Sequence, residues 1–421
     1  MTSPIWHPFT QHALMPEMTM VERSEGAYLY KPDGSRILDA ISSWWVVTHG
    51  HCHQRLVEAA REQAGKLDQV IFAGHTHEPA EQLAEALVRL TPDGLNKVFY
   101  SDSGSTAVEV ALKMALGYWH NIGEGQRQRI IVMEHSYHGD TIGTMSVGER
   151  GVFNQAYQPL LFDVDVIPFP LPGKEQDTVA ALERILTDYQ DEVAALIVEP
   201  LVLGAGGMLM YSADVLKDLK RHCEAHDVVF IADEVMTGWG RTETMFACDQ
   251  AGISPDILCT SKGLTGGFIP LSATLCSDKF FDAHYSEDRA KMFFHSSSYT
   301  ANPIACAVAY ANTQIWADEP VAERIDQLVM TQAQHVETLD GHPRFENVRQ
   351  CGTITAMDIK VNDQGYLSNI APRLYQHFQD NGLLLRPLGN TVYVLPPYCV
   401  TPQDLDEIYH VISNAPDVLG L

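Results

Sequence analysis

The chain has 421 residues, of which 45% are hydrophobic, and this length is typical of a protein with two or three domains. Its 28 basic residues are outnumbered by 54 acidic ones, which gives a net charge of −26. This balance argues against nucleic acid or an anionic membrane surface as a partner, because both require basic patches. We also expect no membrane-spanning helix, since no apolar run of about 18 residues occurs.

The eight cysteines are scattered singly and form no C-x-x-C motif. This pattern favours reduced thiols in a cytoplasmic protein over a disulfide framework. The first ten residues lack the basic and apolar regions of a signal peptide, which agrees with a cytoplasmic location.

Residues 27–41 predict a β-hairpin that turns at Pro32-Asp33-Gly34. After it, short apolar runs alternate with longer amphipathic stretches, one of which predicts a helix over 105–120. Near-continuous apolar strands separated by helices indicate a mainly parallel sheet covered on both faces, so we predict an α/β domain over 51–305. The strands predicted for this sheet are 97–100, 130–133, 194–198, 228–232, 257–260 and 272–275.

The chain changes character after about residue 305. A long helical stretch is followed by short predicted strands at 348–350, 353–359 and 391–395. This α+β pattern predicts a smaller second domain, in which residues 1–50 join residues 306–421.

Small hydroxyl residues and a glycine occur where the strand at 97–100 gives way to a helix. Ser103, Gly104 and Ser105 would expose backbone N–H groups at the positive end of the helix dipole, as a phosphate site requires. An ordinary helix cap would produce the same pattern. Tyr137 follows the next strand at its carboxyl end, where an aromatic ring can stack on a flat ligand, although a surface tyrosine is the plainer interpretation.

A carboxylate and a lysine complete this set of residues. Asp233 ends the apolar run 228–232, and Lys262 follows it by 262 − 233 = 29 residues in a glycine-rich segment. Pyridoxal phosphate (PLP) chemistry needs a lysine that bonds to the cofactor aldehyde and an acid that keeps the pyridine nitrogen protonated. Each feature alone is weak, but together with the phosphate cradle and Tyr137 they predict a PLP site.

Five histidines lie close together in the sequence, at His49, His51, His53, His75 and His77. No cysteine or acid pattern completes a metal site around them, so we predict no metal. The sequence also lacks a P-loop and the G-x-S-x-G elbow of a Ser-His-Asp hydrolase.

Taken in order, the motifs resemble those of the class III (ω-) aminotransferases, enzymes of PLP fold type I, over essentially the whole chain. The resemblance implies a PLP-dependent aminotransferase with a mainly parallel seven-stranded sheet and a smaller α+β domain built from both chain ends. It also implies a homodimer with active sites at the subunit interface. The matching motifs are Asp102-Ser103-Gly104-Ser105, Tyr137-His138-Gly139, Glu199-Pro200, Asp233-Glu234-Val235-Met236-Thr237-Gly238, Ser261-Lys262-Gly263 and Asn302-Pro303.

The resemblance implies a role for each matched residue. Lys262 bonds to the cofactor and moves the proton, Asp233 pairs with the pyridine nitrogen, and Tyr137 stacks on the ring. Arg386 binds the substrate carboxylate as a bidentate fork. The further cofactor contacts are Ser103, Gly104, Ser105, His138, Glu199 and, from the second subunit, Ser298. The further substrate contacts are Phe9, Trp44, Tyr137, Arg241, Ser296 and Tyr393.

A narrower set of motifs resembles one branch of that class, which converts 8-amino-7-oxononanoate to 7,8-diaminononanoate in biotin biosynthesis with S-adenosylmethionine as amino donor. Two positions depart from the pattern: Phe9 stands where the branch has tyrosine, and Ser296 where the class usually has glycine. Both departures concern the substrates more than the cofactor. The narrower motifs are Trp6-His7-Pro8, Ser42-Ser43-Trp44-Trp45 with His49-Gly50, Gly204-Ala205-Gly206-Gly207-Met208, Arg386-Pro387 and Tyr393-Val394-Leu395-Pro396-Pro397-Tyr398.

Other functions stay open from the sequence alone. One is an ω-aminotransferase that acts on amines, β-alanine or 4-aminobutyrate, and another is a biotin-pathway enzyme that takes its amino group from lysine. An aminomutase would use the same fold for a different reaction. A PLP-binding regulatory module is the non-enzymatic alternative, against which the net charge and the lack of a DNA-binding segment both argue.

Overall fold

A seven-stranded sheet lies at the centre of the computed structural model, which describes residues 3–15 and 17–421. One strand, Ser272–Cys276, runs antiparallel to its two neighbours, and the others run in a common direction. The predicted mainly parallel seven-stranded sheet is confirmed. In spatial order the strands are Lys97–Ser101, Ser272–Cys276, Ile257–Thr260, Val229–Asp233, Val193–Val198, Arg129–Met133 and Asp165–Ile167.

The edge strand Asp165–Ile167 is the member of this sheet that no apolar run in the sequence indicated. It is only three residues long, and just its last residue is buried. The central strand Val193–Val198 shows the opposite behaviour, because all six of its side chains are buried. A strand covered on both faces leaves a continuous apolar run in the sequence, whereas a short edge strand does not.

Helices pack on both faces of this sheet. On one face, Ala107 and Val108 of the helix Gly104–Ile122 pack in a buried cluster with Ile231 of the central sheet. Phe230, the residue before Ile231 on the same strand, belongs to the cluster on the other face, with Leu216. Successive side chains of the strand therefore point to opposite faces of the sheet, and each face is covered by its own apolar layer. The helical segments of this part of the chain are Gln54–Ala64, Glu78–Leu90, Gly104–Ile122, Ile142–Ser146, Gln155–Leu160, Glu175–Asp188, Ala213–Ala225, Ala247–Ala251, Lys262–Thr265, Asp278–His284, Arg289–Lys291 and Pro303–Asp318.

The two ends of the chain meet in a second, four-stranded sheet. The predicted hairpin is present, with Tyr28–Tyr30 antiparallel to Arg36–Asp39, and Leu383–Leu384 adds in parallel to Arg36–Asp39. The two chain ends therefore share one sheet, while the domain limits at residues 50 and 305 stay a prediction. The remaining segments are the strands Arg23–Glu25, Val202–Leu203, Leu209–Met210, Phe345–Cys351, Ile354–Ile359 and Thr391–Val394, and the helices Ser42–Trp45, Val321–Leu339, Ile370–Asp380 and Pro402–Val418.

The carboxyl edge of the central sheet collects the chemically interesting side chains. Asp233 is the last residue of its strand, Lys262 follows the neighbouring strand Ile257–Thr260, and Tyr137 follows Arg129–Met133. Because parallel strands end at the same edge, residues far apart in sequence meet there. Within residues 3–15 and 17–421, none of the helices combines the length and the apolarity that a membrane span needs.

Candidate active site

A cavity of about 170 Å³ opens at this carboxyl edge. Its walls include all of the predicted cofactor residues except Ser298. The structure therefore brings together side chains and loops that are up to 159 positions apart, from Ser103 to Lys262. The predicted residues that line it are Ser103, Gly104, Ser105, Tyr137, His138, Glu199, Asp233 and Lys262.

Lys262 begins the short turn Lys262–Thr265 and has a φ of +42°, which is unusual for a residue other than glycine. Its Nζ lies 5.0 Å from the centre of the Trp45 ring. Burial lowers the pKa of the Lys262 amine, while Asp233 and Glu199 oppose that shift. A lowered pKa leaves more of the amine neutral, which is the form that attacks a carbonyl and accepts a proton.

Asp233 is held by two hydrogen bonds in the buried wall of the cavity. His138 Nδ1 lies 2.7 Å from its Oδ2, and the backbone N–H of Val235 donates to its Oδ1 over 3.1 Å. Both Asp233 and His138 are buried, and His138 Nε2 is enclosed without a partner among the described residues. The carboxylate is thus oriented on both oxygens, and a negative charge held in this way suits a cationic ring nitrogen.

Glu199 clamps the loop that carries Tyr137. Its Oε1 accepts the backbone N–H of Tyr137 at 2.9 Å and its Oε2 accepts that of Gly204 at 3.1 Å. Burial raises the pKa of Glu199 to about 7, with Asp233 adding to the shift and His138 opposing it. Burial also raises the pKa of Tyr137 above its usual range, so this ring stays a neutral phenol.

The start of the helix Gly104–Ile122 combines a cap with free donors. Ser103 Oγ accepts the N–H of Thr106 at 3.2 Å, and Thr106 Oγ1 accepts the N–H of Ser103 at 2.9 Å, which is a capping box. Across residues 3–15 and 17–421, no acceptor is bonded to the N–H groups of Gly104 and Ser105. The cap and the phosphate site are therefore not alternatives, because Ser103 caps the helix while the next two residues line the cavity and keep their amides free.

Two glycines let the chain segments around these amides approach closely. A Cβ on Gly139, whose φ is +130°, would lie 2.0 Å from Ser105 Oγ, and a Cβ on Gly104 would lie 2.6 Å from Val235 Cγ1. Neither position has room for a side chain. The Tyr137 loop can thus lie directly against the helix N-terminus.

This set of groups fits pyridoxal phosphate. The free amides at the helix N-terminus suit the phosphate, Asp233 suits the pyridine nitrogen, and Lys262 suits the aldehyde. Tyr137 is the flat residue beside them. The site offers a donor or acceptor for each polar end of the cofactor.

A second cavity of about 440 Å³ adjoins the first, and the two share Tyr137, His138 and Gly139. It is also lined by Phe153 and Tyr366, two aromatic residues whose ring centres are 4.5 Å apart. No motif in the sequence pointed to either of them. They contribute an apolar wall, next to which an alkyl chain of a substrate would lie.

Three predicted substrate residues meet beside this second cavity. Arg386 Nη2 donates to the backbone carbonyl of Phe9 over 2.5 Å, and its guanidinium lies 5.8 Å from the centre of the Trp44 ring. The Phe9 ring packs edge-on against Trp44 at 5.7 Å and against Phe153 at 6.0 Å. We call Phe9, Trp44, Phe153, Tyr366 and Arg386 the substrate mouth.

The paired tryptophans have different environments. Trp44 is 46% exposed at the substrate mouth, whereas Trp45 is 7% exposed and lines the cofactor cavity. Trp45 Nε1 donates to the Tyr393 hydroxyl at 2.9 Å. The contribution of Trp45 to the cavity was missed from the sequence, and Tyr393 orients Trp45 and does not itself line either cavity.

Arg241 does not line either cavity, although its charge adds to the lowering of the Lys262 pKa, and its role as a substrate contact stays a prediction. It is buried, and its two terminal nitrogens donate to the carbonyls of Val47 and Pro396 over 2.8 Å each. The Tyr398 ring lies 4.9 Å from its guanidinium. Arg241 therefore links the segment at Val47 to the segment at Pro396, one from each end of the chain, through hydrogen bonds to their backbone carbonyls.

Ser296 and Ser298 lie exposed on a loop outside both cavities of their own chain. The Ser298 carbonyl accepts a hydrogen bond from Gln69 Nε2 at 2.6 Å. Ser298 was predicted to act in the partner subunit, which one chain does not test. Its role, and that of Ser296, stay predictions.

Four of the five clustered histidines are bonded to separate protein groups, and the fifth, His75, is exposed. In the described ranges 3–15 and 17–421, no three metal-ligating side chains come together in a group that could hold an ion. The pairs are His49 with Asn312, His51 with Asp39, His53 with Glu319, and His77 with the Ala301 carbonyl.

Comparisons with known proteins identify relatives over nearly the whole chain. The family model described as aminotransferase class-III matches residues 10–415. An adenosylmethionine-8-amino-7-oxononanoate aminotransferase from Synechococcus elongatus is 46% identical, with 98% of each chain covered, and one from Geobacter sulfurreducens is 38% identical, with 96% of this chain and 93% of that protein covered.

Solved structures give the same picture of the fold. The enzyme of that name from Methanocaldococcus jannaschii superposes with a TM-score of 0.93 at 34% identity, covering 98% of this chain and 97% of the other. A PLP-bound amine transaminase from an uncultivated Pseudomonas species superposes with a TM-score of 0.90 at 30% identity, covering 98% of both chains. Two proteins with different names therefore share this fold almost equally well.

Proposed function

The chain belongs to the class III aminotransferases, which use pyridoxal phosphate, and on that premise we propose that it converts 8-amino-7-oxononanoate to 7,8-diaminononanoate with S-adenosylmethionine as amino donor. The observation that carries the substrate proposal is the 46% identity to a relative of that name over 98% of both chains. The amino-transfer chemistry rests on Lys262 and Asp233, which line one cavity.

When bound, the cofactor supplies an aldehyde that exchanges amino groups and a ring that accepts electrons. Lys262 would hold it covalently through Nζ. Once released by the amino group of the donor, the same amine would serve as the base that moves a proton at the donor Cα. Asp233 would keep a proton at the pyridine nitrogen, and Tyr137 would cover one face of the ring. The acceptor ketone receives the amino group in a second half-reaction, so the kinetics are ping-pong.

The substrate mouth accounts for how two different substrates can use one site. Both proposed substrates carry a carboxylate, which Arg386 can hold as a fork in place of the Phe9 carbonyl. The aromatic rings beside it offer apolar surface to the rest of each molecule. Phe9 provides the apolar part of a tyrosine without its hydroxyl.

A single-turnover donor screen tests the proposed donor. The holoenzyme, mixed with S-adenosylmethionine, should lose the visible absorbance of the lysine-linked cofactor, and 8-amino-7-oxononanoate should restore it. Lysine, alanine and 4-aminobutyrate serve as comparison donors. Loss of absorbance with lysine but not with S-adenosylmethionine would identify the lysine-dependent alternative, and loss with 4-aminobutyrate alone would identify the ω-aminotransferase that the amine transaminase neighbour favours.

Replacing Arg386 by alanine should raise KM for carboxylate substrates by about 10- to 100-fold, because a charge-assisted hydrogen bond contributes roughly 1.5–3 kcal/mol. The KM of Arg386→Lys should lie between those of the wild type and Arg386→Ala, since lysine keeps the charge and loses the bidentate fork. Arg184→Ala, at an exposed arginine on the helix Glu175–Asp188, is the control. An unchanged KM in steady-state kinetics of Arg386→Ala would remove this residue from the site.

We also propose that the enzyme is a cytoplasmic homodimer. The eight cysteines are all free, as expected for a reducing compartment. Large apolar side chains are exposed on one segment, at Tyr285, Phe294 and Tyr299, and Gln69 bonds this segment to the region of Ile71, which is also exposed. An apolar surface of this kind is typical of a protein interface.

Light scattering of the purified enzyme tests the dimer. We expect a mass of about twice 46.7 kDa. Ile71→Asp and Tyr299→Asp should shift it toward the monomer and weaken cofactor retention, because Ser298 would then be lost from the neighbouring site. A wild-type monomer with full activity would contradict both the dimer and the shared phosphate site.

A further inference from the structure

We propose that Asn312 is a positioning residue for Lys262, and that His49 holds Asn312 in the orientation which this role requires. The Asn312 side chain is fully buried. Its Nδ2 donates to the backbone carbonyl of Gly263 over 3.0 Å and to that of Leu264 over 3.1 Å. These two residues directly follow Lys262, so the Asn312 side-chain amide is hydrogen-bonded twice to the turn that carries the lysine.

The orientation of this amide follows from its hydrogen-bonding capacity. Both N–H groups of Asn312 are used by the turn, so its Oδ1 faces His49 Nε2 at 2.9 Å and must accept a hydrogen bond from the N–H at that nitrogen. Burial, together with the neighbouring His53, lowers the pKa of His49 to about 3. The ring therefore stays neutral with its proton on Nε2 over the working pH range, and the Asn312 amide cannot turn over without losing all three bonds.

The turn needs an external anchor because of its backbone geometry. A φ of +42° is disfavoured for lysine, and such a conformation persists only where the surroundings impose it. Among the described residues, Asn312 is the one donor bonded to the Leu264 carbonyl. Without Asn312 this buried carbonyl would be unpaired, and the turn would relax toward a conformation that carries the Lys262 amine away from its place beside Trp45.

This inference rests on the proposed role of Lys262 as the cofactor lysine, which the reducible linkage tests separately. Asn312→Leu removes both donors at similar volume. The holoenzyme should still bind cofactor, but the pH midpoint of its visible absorbance should move by about one unit. Its kcat should fall by about 10- to 100-fold, because the Lys262 side chain is moved out of its position. The KM for the donor should stay within about twofold, because the substrate mouth is unchanged.

Thr313→Val is the matched control on the same helix. It removes the part-buried hydrogen bonds of the Thr313 hydroxyl with the Tyr310 carbonyl and the Gln314 side chain, and no bond to the turn. We expect a wild-type absorbance midpoint. A Thr313→Val midpoint shifted as far as that of Asn312→Leu would show general loosening of the helix and overturn the proposal, as would a folded Asn312→Leu enzyme with wild-type midpoint and kcat.

The histidine provides a second test that does not depend on the stability of the Asn312 variant. His49→Phe removes the Nε2 donor, and His49→Gln replaces it with another N–H donor. The phenylalanine variant should shift the midpoint in the same direction as Asn312→Leu, and the glutamine variant should return toward wild type. Identical spectra for the two variants would contradict the role of His49. A wild-type enzyme with no lysine-linked absorbance would instead refute the proposed role of Lys262.

Discussion

Lys262→Ala is expected to abolish the covalent link to the cofactor and to lower the amination rate by about 10⁴, the upper end of what a positioned acid–base group contributes. The reason is that, in the proposed function, one amine both bonds to the cofactor and moves the proton. Its lowered pKa, caused by burial, suits both tasks because the neutral amine is the reactive form. Absorbance spectra and mass spectrometry after borohydride reduction measure the link, and single-turnover kinetics measure the rate.

The control for this prediction is Lys217→Ala, which removes an exposed lysine from the helix Ala213–Ala225. It should retain the covalent link and the wild-type rate. If the cofactor remained reducible onto the protein in Lys262→Ala, another lysine would be the attachment site.

Asp233→Asn should lower kcat/KM by about 10²–10³ while the protein remains folded, the range found when one preorganised electrostatic group is removed. The amide keeps the shape of the carboxylate, and its oxygen can still accept from His138 or Val235. What it loses is the negative charge that, in the proposed function, keeps a proton at the pyridine nitrogen. Stopped-flow measurement of the donor half-reaction should therefore show slow proton transfer with normal donor binding.

Asp249→Asn is a suitable comparison, because that carboxylate accepts the N–H of Phe246 and lies outside the cavity. We expect its half-reaction to match wild type. An Asp233→Asn enzyme that aminates within about twofold of the wild-type rate would mean that the ring nitrogen does not need this charge.

The positions of Asp233, Lys262 and Tyr137 were predictable from the sequence for a simple reason. Each follows an apolar run, and buried parallel strands must end at the same edge of their sheet. The free amides at Gly104 and Ser105 were predictable in the same way, because a strand-to-helix junction exposes them. The apolar runs therefore indicated that these groups lie at one edge, before any distance was known.

The substrate mouth could not be predicted in this way. Phe153 and Tyr366 are 213 positions apart and belong to no periodic pattern, yet their rings are in contact. The environment of Arg241 could not be predicted either, since its donors are bonded to the carbonyls of Val47 and Pro396, which are far from it in the sequence. Which of two available partners a charged side chain takes depends on packing between elements that are distant in sequence.

The sequence by itself determined the chemistry of this protein: a lysine, a carboxylate, an aromatic ring and a helix N-terminus at the ends of buried strands, in the order of the class III aminotransferases. Only the tertiary structure decided how these groups are held. Three hydrogen bonds between separate segments hold them. His138 is bonded to Asp233, and Glu199 to the backbone of Tyr137. Asn312 is bonded to the turn after Lys262. Strand ends are local properties, whereas hydrogen bonds between segments exist only once the chain has closed around them.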